Sequence, residues 1–300
     1  MHTTRTLREL LDAPGLAVLP GAYDALSARI IEAEGFPALV AGGYAAIGSM
    51  LAEADMGQSN LRDYADHYAR ICDAVQIPVY VDGDTGFGGV HNVARMVRAF
   101  ESAGVAGLFF SDQVFPNRCG YLPGKQVVSP EEMLARLGAA LDARRDAEVL
   151  IVGRTDCYAA EGLDAAIERC QLMVEAGADL AKPQGVDTPA EIARVISEVP
   201  GAHIATLSQA AGAAAVSLSE LAALGTSAVT LPSVTLFAAA HAVRGVLGAL
   251  RTTGDLDSTA GALLDLEDYY RLVGLSSLLE REERYDAAAH EIVTRAAFSR

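Results

Sequence analysis

Eight short apolar runs, each followed by a stretch of helical character, recur along the 300-residue chain. They begin near Leu16, Ala38, Pro78, Gly107, Val149, Leu180, His203 and Ala228. Runs this short, without strict polar alternation, read as strands buried on both faces, and strands that alternate with helices form parallel sheets. The intervening segments carry helix-start chemistry. Ser129-Pro-Glu-Glu132 and Thr188-Pro-Ala-Glu191 put a hydroxyl at the N-cap, proline at the first helical position and glutamate two residues later. Ser217-Leu-Ser-Glu220 repeats the pattern without proline, and Asp24 suits an N-cap of the first barrel helix. Gly104 and Gly177 stand just before two strands, where a glycine ends the preceding helix. Eight such units in this length predict an α/β chain folded as a (β/α)8 TIM barrel, not an open doubly wound sheet. Residues 1–300 are expected to form one barrel domain, with 252–300 as a C-terminal helical extension. A barrel needs only one helix after its eighth strand. The surplus apolar positions Leu272, Leu275, Leu278 and Leu279 either pack on a neighbouring subunit or dock on the same barrel.

A hydrophobic fraction of 51% and a mean hydropathy of +0.23 fit a well-packed cytoplasmic enzyme. The first ten residues lack the apolar centre of a secretory signal. The longer apolar stretches read as broken or too short to span a bilayer, so no membrane partner is expected. A net charge of −16 argues against nucleic acid and anionic lipid. It leaves room for a small anionic substrate, because a metal and one or two arginines can reverse the local field. The four cysteines have neither metal-finger spacing nor the setting of a disulfide framework. Cys72 and Cys170 fall in half-apolar helical patterns and Cys157 follows a strand end. Cys119 differs, lying in a polar loop bounded by glycines.

The chemistry-bearing residues gather at the C-terminal ends of the strands, where barrel enzymes place their sites. Val79-Tyr-Val-Asp-Gly-Asp-Thr-Gly-Phe-Gly-Gly89 ends a strand in two acids with a glycine-rich turn behind them. Asp82 and Asp84 share the strand's period-two face and repel unless a cation lies between them, so Mg²⁺ is the natural ligand. The alternative is a solvated loop with an acidic start. The long loop Ser111-Asp-Gln-Val-Phe-Pro-Asn-Arg-Cys-Gly-Tyr-Leu-Pro-Gly-Lys125 reads as a lid. Arg118 beside Cys119 favours thiolate character there, and the thiol is either a proton donor, a nucleophile or an incidental exposed group. Arg154 and Asp156 share one face at the end of the fifth strand. Arg154 suits bidentate capture of a carboxylate or phosphonate, unless the two residues form a structural ion pair. Gly42, Gly43 and Tyr44, Gln184, and Ser208 end other strands. His91 follows the glycine-rich turn but has no partner spacing of a metal or catalytic histidine.

Taken in order, Pro20-Gly-Ala-Tyr-Asp-Ala-Leu-Ser-Ala28, Asp82-Gly-Asp-Thr-Gly-Phe-Gly88, Asp112-Gln113, Arg118-Cys-Gly120, Val128-Ser-Pro-Glu-Glu-Met133, Gly153-Arg-Thr-Asp156 and Glu161-Gly-Leu-Asp-Ala-Ala-Ile-Glu168 cover nearly the whole chain. This set resembles the isocitrate lyase/phosphoenolpyruvate mutase superfamily, with 2-methylisocitrate lyases and carboxyphosphonoenolpyruvate phosphonomutases as the nearest pattern. The resemblance implies a (β/α)8 barrel whose last helix is exchanged between paired subunits, in a homotetramer built as a dimer of dimers. It implies Mg²⁺ held near Asp82 and Asp84, partly through water, and Arg154 gripping a substrate carboxylate. It gives Cys119 the part of general acid on a gating loop, in cleavage next to a 2-oxo or 2-hydroxy acid through a metal-stabilised enolate. The implied substrate-contact positions are Gly42, Gly43, Tyr44, Arg118, Gly120, Tyr121, Gln184 and Thr206.

The sequence departs from the family pattern around that pocket. Ser111 stands where the family usually has glutamate before Asp-Gln, and Asn117 and Tyr121 replace the lysine and histidine flanking Arg-Cys-Gly. Gln184 replaces a glutamate, Thr206 an asparagine and Gln209 an acid. Fewer carboxylates imply weaker metal affinity and a substrate other than a methylisocitrate-like tricarboxylate. The leading expectation is a Mg²⁺-dependent carbon–carbon lyase for a small organic acid. A phosphonomutase acting on a phosphorus–carbon bond, or a catalytically silent ligand-binding member, are the alternatives.

Overall fold

Helix starts in this chain are fixed by short-range hydrogen bonds that the sequence already displays. In a computed structural model that describes residues 3–120, 122–208 and 216–298, Asp24 accepts from Ser27 N at 2.8 Å and opens α2 (Ala25–Ala33) after α1 (Thr3–Asp12). The barrel helices continue as α3 (Gly43–Leu51), α4 (Leu61–Ala74), α5 (Val90–Ser102), α6 (Pro130–Ala143), α7 (Tyr158–Glu161), α8 (Leu163–Glu175), α9 (Pro189–Glu198), α10 (Leu218–Leu224) and α11 (Val234–Thr253). Ser129, Thr188 and Ser217 each accept from the N–H three residues on, capping α6, α9 and α10. Gly104 and Gly177 adopt φ of +88° and +103° just beyond α5 and α8, as a helix-terminating glycine should.

The expected strands all form: β1 (Ala17–Pro20), β2 (Leu39–Ala41), β3 (Val79–Asp82), β4 (Gly107–Ser111), β5 (Leu150–Thr155), β6 (Leu180–Pro183), β7 (Ile204–Thr206) and β8 (Ala228–Leu231). All ladders are parallel. They run β2-β3-β4-β5-β6 in one sheet and β7-β8-β1 in the other. A parallel bridge between Gly21 and Val40 joins β1 to β2. Between β6 and β7 the described residues make no backbone ladder. A side-chain bond from Lys182 Nζ to Thr206 Oγ1, 2.8 Å, spans that seam instead. The arrangement is the TIM-barrel-like order that the eight-fold sequence pattern predicts.

Two apolar layers hold the barrel. One lies between strands and helices and includes Tyr68, Phe100, Phe110 and Leu137, all fully buried. The other fills the cylinder with Leu19, Val40, Tyr80, Phe109, Val152 and Leu180, and takes in Leu7 and Leu11 of α1. Helix α1 therefore packs its apolar stripe against the barrel's interior, and Leu7 Cδ2 would lie 3.2 Å from a Cβ placed on Gly107, at the start of β4. Arg8 and Arg144 pair with Asp179 at 2.9 and 2.6 Å, close to those strand starts. The opposite end is left for polar residues.

The chain divides into two compact units, Met1–Ala240 and His241–Arg300, with the division inside α11. The second unit continues through a 3-10 helix (Leu256–Ala262), α12 (Leu266–Leu272) and α13 (Leu275–Phe298). Leu278, Leu279, Ile292 and Val293 of α13 are exposed. One expectation needs correcting. At 20 residues, α11 is long and apolar enough, by length and composition alone, to cross a bilayer. Its glycines, Gly245 and Gly248, and its threonines do not break the helix.

Candidate active site

At the C-terminal ends of the strands a cavity of about 630 Å³, including its open mouth, brings most of the expected residues together. Its acidic wall is β3 and the turn behind it. Asp82 Oδ1 accepts from Asp84 N at 2.9 Å and its Oδ2 from Gly43 N at 3.3 Å. Asp84 adopts φ of +50°, a left-handed conformation that aspartate tolerates, and its Oδ1 accepts from Asn117 Nδ2 at 3.0 Å. A Cβ on Gly43 would lie 3.2 Å from both Asp82 Oδ2 and Asp84 Oδ1, so a larger residue there would crowd the acids by a few tenths of an ångström.

A third acid, Asp55 from the loop after α3, joins them. Nothing local marks it, because no strand end precedes it; its only signal is an acid among small residues after a helix. Asp55 and Asp84 are buried and Asp82 is half-buried, all in a shared negative field. Burial, then repulsion from Asp82 and Asp55, raises Asp84 well above the ordinary carboxylate range. Burial also raises Asp82, against the pull of Arg154. Burial followed by Asp82 pushes Asp55 up to about 6. Because the folded chain holds the Asp55 proton more tightly than the unfolded chain, this contribution is full below about pH 4 and is lost as pH rises through 6. In chelator, unfolding free energy is expected to fall between pH 4.5 and 7 by roughly 1–3 kcal/mol on this account. Asp55→Asn should flatten that slope in urea titrations.

The opposite wall is basic. Arg154 on β5 meets Asp156 at 2.8 Å (Nε–Oδ2) and 3.0 Å (NH2–Oδ1), and Lys125 Nζ reaches Asp156 Oδ1 at 2.9 Å. Burial alone would raise Asp156, but Arg154 and Lys125 outweigh it and hold the carboxyl below its usual range. The ion-pair alternative for Arg154 and Asp156 is thus what their side chains form, while Arg154 still borders the cavity. Lys182 of β6, also unanticipated, stands beside Arg154 in register. Burial and Arg154 bring its ammonium down to about 7, against Asp82 and Asp156. Its signal was a lysine within the apolar run Leu180-Ala-Lys-Pro, facing the same way as Gln184.

The loop after β4 lies over these groups. Gln113 clamps it, its side chain accepting from Arg118 N and donating to Arg118 O, both at 3.0 Å. The Arg118 guanidinium itself turns to the Pro123 carbonyl at 3.4 Å and is exposed, so the cation near Cys119 is Arg154. Cys119 is half-buried at the cavity's edge. A Cβ on Gly120 would come within 2.7 Å of Arg154 NH2 and 2.9 Å of Gln184 Cγ, so the loop seats its backbone directly on both. Ser111, Gln184, Tyr44, Gly42 and Thr206 also line the cavity. Tyr121 and Gln209 lie outside the described residues. Asp112 does not face the cavity: it bonds Thr155 Oγ1, Asp156 N and Arg169, tying β4 to β5 and α8. His91 is exposed.

This geometry coincides with a match of residues 7–251 to the family described as phosphoenolpyruvate phosphomutase. The chain belongs to the isocitrate lyase/phosphoenolpyruvate mutase superfamily. It is 34% identical over 288 residues to the 2,3-dimethylmalate lyase of Eubacterium barkeri, covering 95% of this chain and 99% of that one. Its fold superposes on oxaloacetate acetylhydrolase in complex with 3,3-difluorooxalacetate with a TM-score of 0.89 at 30% identity, covering 95% and 97%. A phosphonopyruvate hydrolase complex with oxalate and Mg²⁺ gives a TM-score of 0.85 at 27% identity, covering 95% and 99%. As a member of this superfamily of lyases and mutases, the chain is an enzyme, and its cavity lies where barrel enzymes carry their chemistry.

Proposed function

We propose that this enzyme is a Mg²⁺-dependent carbon–carbon lyase for a small 2-hydroxy or 2-oxo acid. The observation that carries the reading is the buried acids Asp55 and Asp84 and the half-buried Asp82, facing Arg154 across a cavity roofed by the Cys119 loop. Buried like charges raised in this way call for a cation. Among the described residues no three His, Cys, Asp or Glu donors enclose an ion by themselves. Asp82 and Asp84 would therefore hold Mg²⁺ partly through water, as a hard cation that keeps much of its hydration permits. When bound, the metal would offset the negative charge that develops on the acid's oxygen as the carbon–carbon bond breaks. The Mg²⁺–oxalate complex of the phosphonopyruvate hydrolase supports this choice of ion.

The chain's own groups supply the rest. Arg154, locked by Asp156, presents a fixed cation to a substrate carboxylate, with Gly42, Gly43, Tyr44, Gln184 and Thr206 around it. Gly120 brings the loop backbone onto Arg154, excluding water and carrying Cys119 to the mouth. The thiol then protonates the carbanion released by cleavage. Incubation with 2-hydroxy diacids should release pyruvate, glyoxylate or another oxo acid only with Mg²⁺ present. Cys119→Ala is expected to lower kcat by about 10²-fold with little change in KM. A Cys119→Ala enzyme as fast as the wild type would remove the thiol from the mechanism. A phosphorus NMR change with phosphonopyruvate, and no cleavage of diacids, would move the enzyme to phosphorus–carbon chemistry. The exposed apolar face of α13 supports assembly as a helix-exchanged homotetramer, which sedimentation should reveal as a species four times the chain mass.

A further inference from the structure

Lys182 is a charged cavity residue that the proposed reaction leaves without a part. Its ammonium donates to Thr206 Oγ1 at 2.8 Å and lies 4.6 Å from the centre of the Phe109 ring. Thr206 Oγ1 in turn sits 2.9 Å from Thr230 Oγ1. The residue is only 5% exposed. No ion pair among the described residues includes it, whereas Arg154 and Lys125 are both committed to Asp156. A ring face and one hydroxyl are modest compensation for a buried ammonium. If packing were all that mattered, an apolar side chain of similar volume would be cheaper there.

The position fits a ligand with two anionic ends. Asp82 and Asp84 stand on the β3 side. Lys182 stands across the barrel on β6, with the Thr206 and Thr230 hydroxyls beyond it on β7 and β8 and Phe109 beneath. Burial and Arg154 weaken the hold of Lys182 on its proton, and a carboxylate opposite would restore it. Building on the functional reading above, we propose that Lys182, steadied by Thr206, receives a second carboxylate of the substrate, distinct from the one that Arg154 holds. The pocket then selects dicarboxylic over monocarboxylic 2-hydroxy acids. Lys182 is a specificity-determining residue, and chemistry at the first carboxylate does not require it.

Oxalate, racemic malate and racemic lactate test this, since malate and lactate differ in the second carboxylate. Oxalate binding is followed by calorimetry in Mg²⁺, and the two hydroxy acids are scored by their displacement of oxalate. In the wild type malate should displace oxalate at a concentration roughly ten-fold or more below lactate. Lys182→Met should bring the two within about three-fold while leaving Mg²⁺-dependent oxalate binding within the same margin, and Lys182→Arg should retain most of the preference. Equal displacement by malate and lactate in the wild type would overturn the assignment. So would a preference unchanged in Lys182→Met, or an equal loss for all three acids. If the wild type bound no oxalate with Mg²⁺, the functional reading would itself fall and this inference with it. Intact oxalate binding with a failed preference would sink Lys182 alone.

Discussion

Asp84→Asn is expected to lower kcat/KM by roughly 10³-fold, while the metal-free variant melts about 2–5 °C above the metal-free wild type. The two effects have one cause. In the folded chain Asp84 is buried against Asp82 and Asp55, and its carboxyl is raised well above the ordinary range. Without a cation this crowding opposes folding, and removing one charge relieves it. With a cation the same crowding becomes the binding site, and removing one charge weakens it. Asparagine is the informative replacement because residue 84 has φ of +50°, which asparagine accepts and alanine resists. It also leaves an oxygen for the Asn117 amide. Differential scanning calorimetry with and without Mg²⁺ checks the stability half, and steady-state kinetics on a confirmed acid checks the other. A variant that melts lower than wild type in chelator, or keeps its activity, would show that Asp82 and Asp84 do not act as a cation cradle.

The second large effect concerns Asp156. Its side chain has no exposure and is shared by Arg154 and Lys125, themselves 11% and 7% exposed. Asp156→Asn leaves two buried cations side by side without their counter-charge. Breaking a buried pair in this way costs about 3–5 kcal/mol, well above what the pair adds compared with apolar packing. Urea unfolding should register that loss, and affinity for acids should fall because Arg154 is no longer held at the mouth. Lys125→Met should be much milder, since Asp156 would still hold Arg154. If the two variants proved equally stable, the carboxylate would have to be sharing its charge more loosely than these distances indicate.

How much of this was legible in the residues follows their physics. Strands and caps are local: an apolar run bounded by glycine, or a hydroxyl three residues before glutamate, specifies its own conformation, so all eight strands and the caps at Ser129, Thr188 and Ser217 were readable. Asp82 and Arg154 were readable as cavity-lining residues because strand periodicity fixes their direction, whereas Asp84 and Gln184 reach the same cavity from just beyond their strands. Asp55 and Lys182 were not. Asp55 reaches the acids from an irregular segment whose course depends on tertiary contacts, such as Asp55 O accepting from Cys119 N. Lys182 stood in plain view, but a lysine in an apolar run looks like a strand-edge charge until the barrel closes around it. Asp112 failed in the opposite sense. It directly follows β4, where polar residues of a barrel gather, yet Thr155 and Arg169 draw it outward into the seam between β4, β5 and α8.

Helix α1 gives the catalytic chamber a sealed floor. With Leu7 and Leu11 packed over the strand starts, the cavity opens, among the described residues, at the end that carries the Cys119 loop. On the lyase reading both fragments would leave past that loop, so whichever lay nearer it would be the first to go.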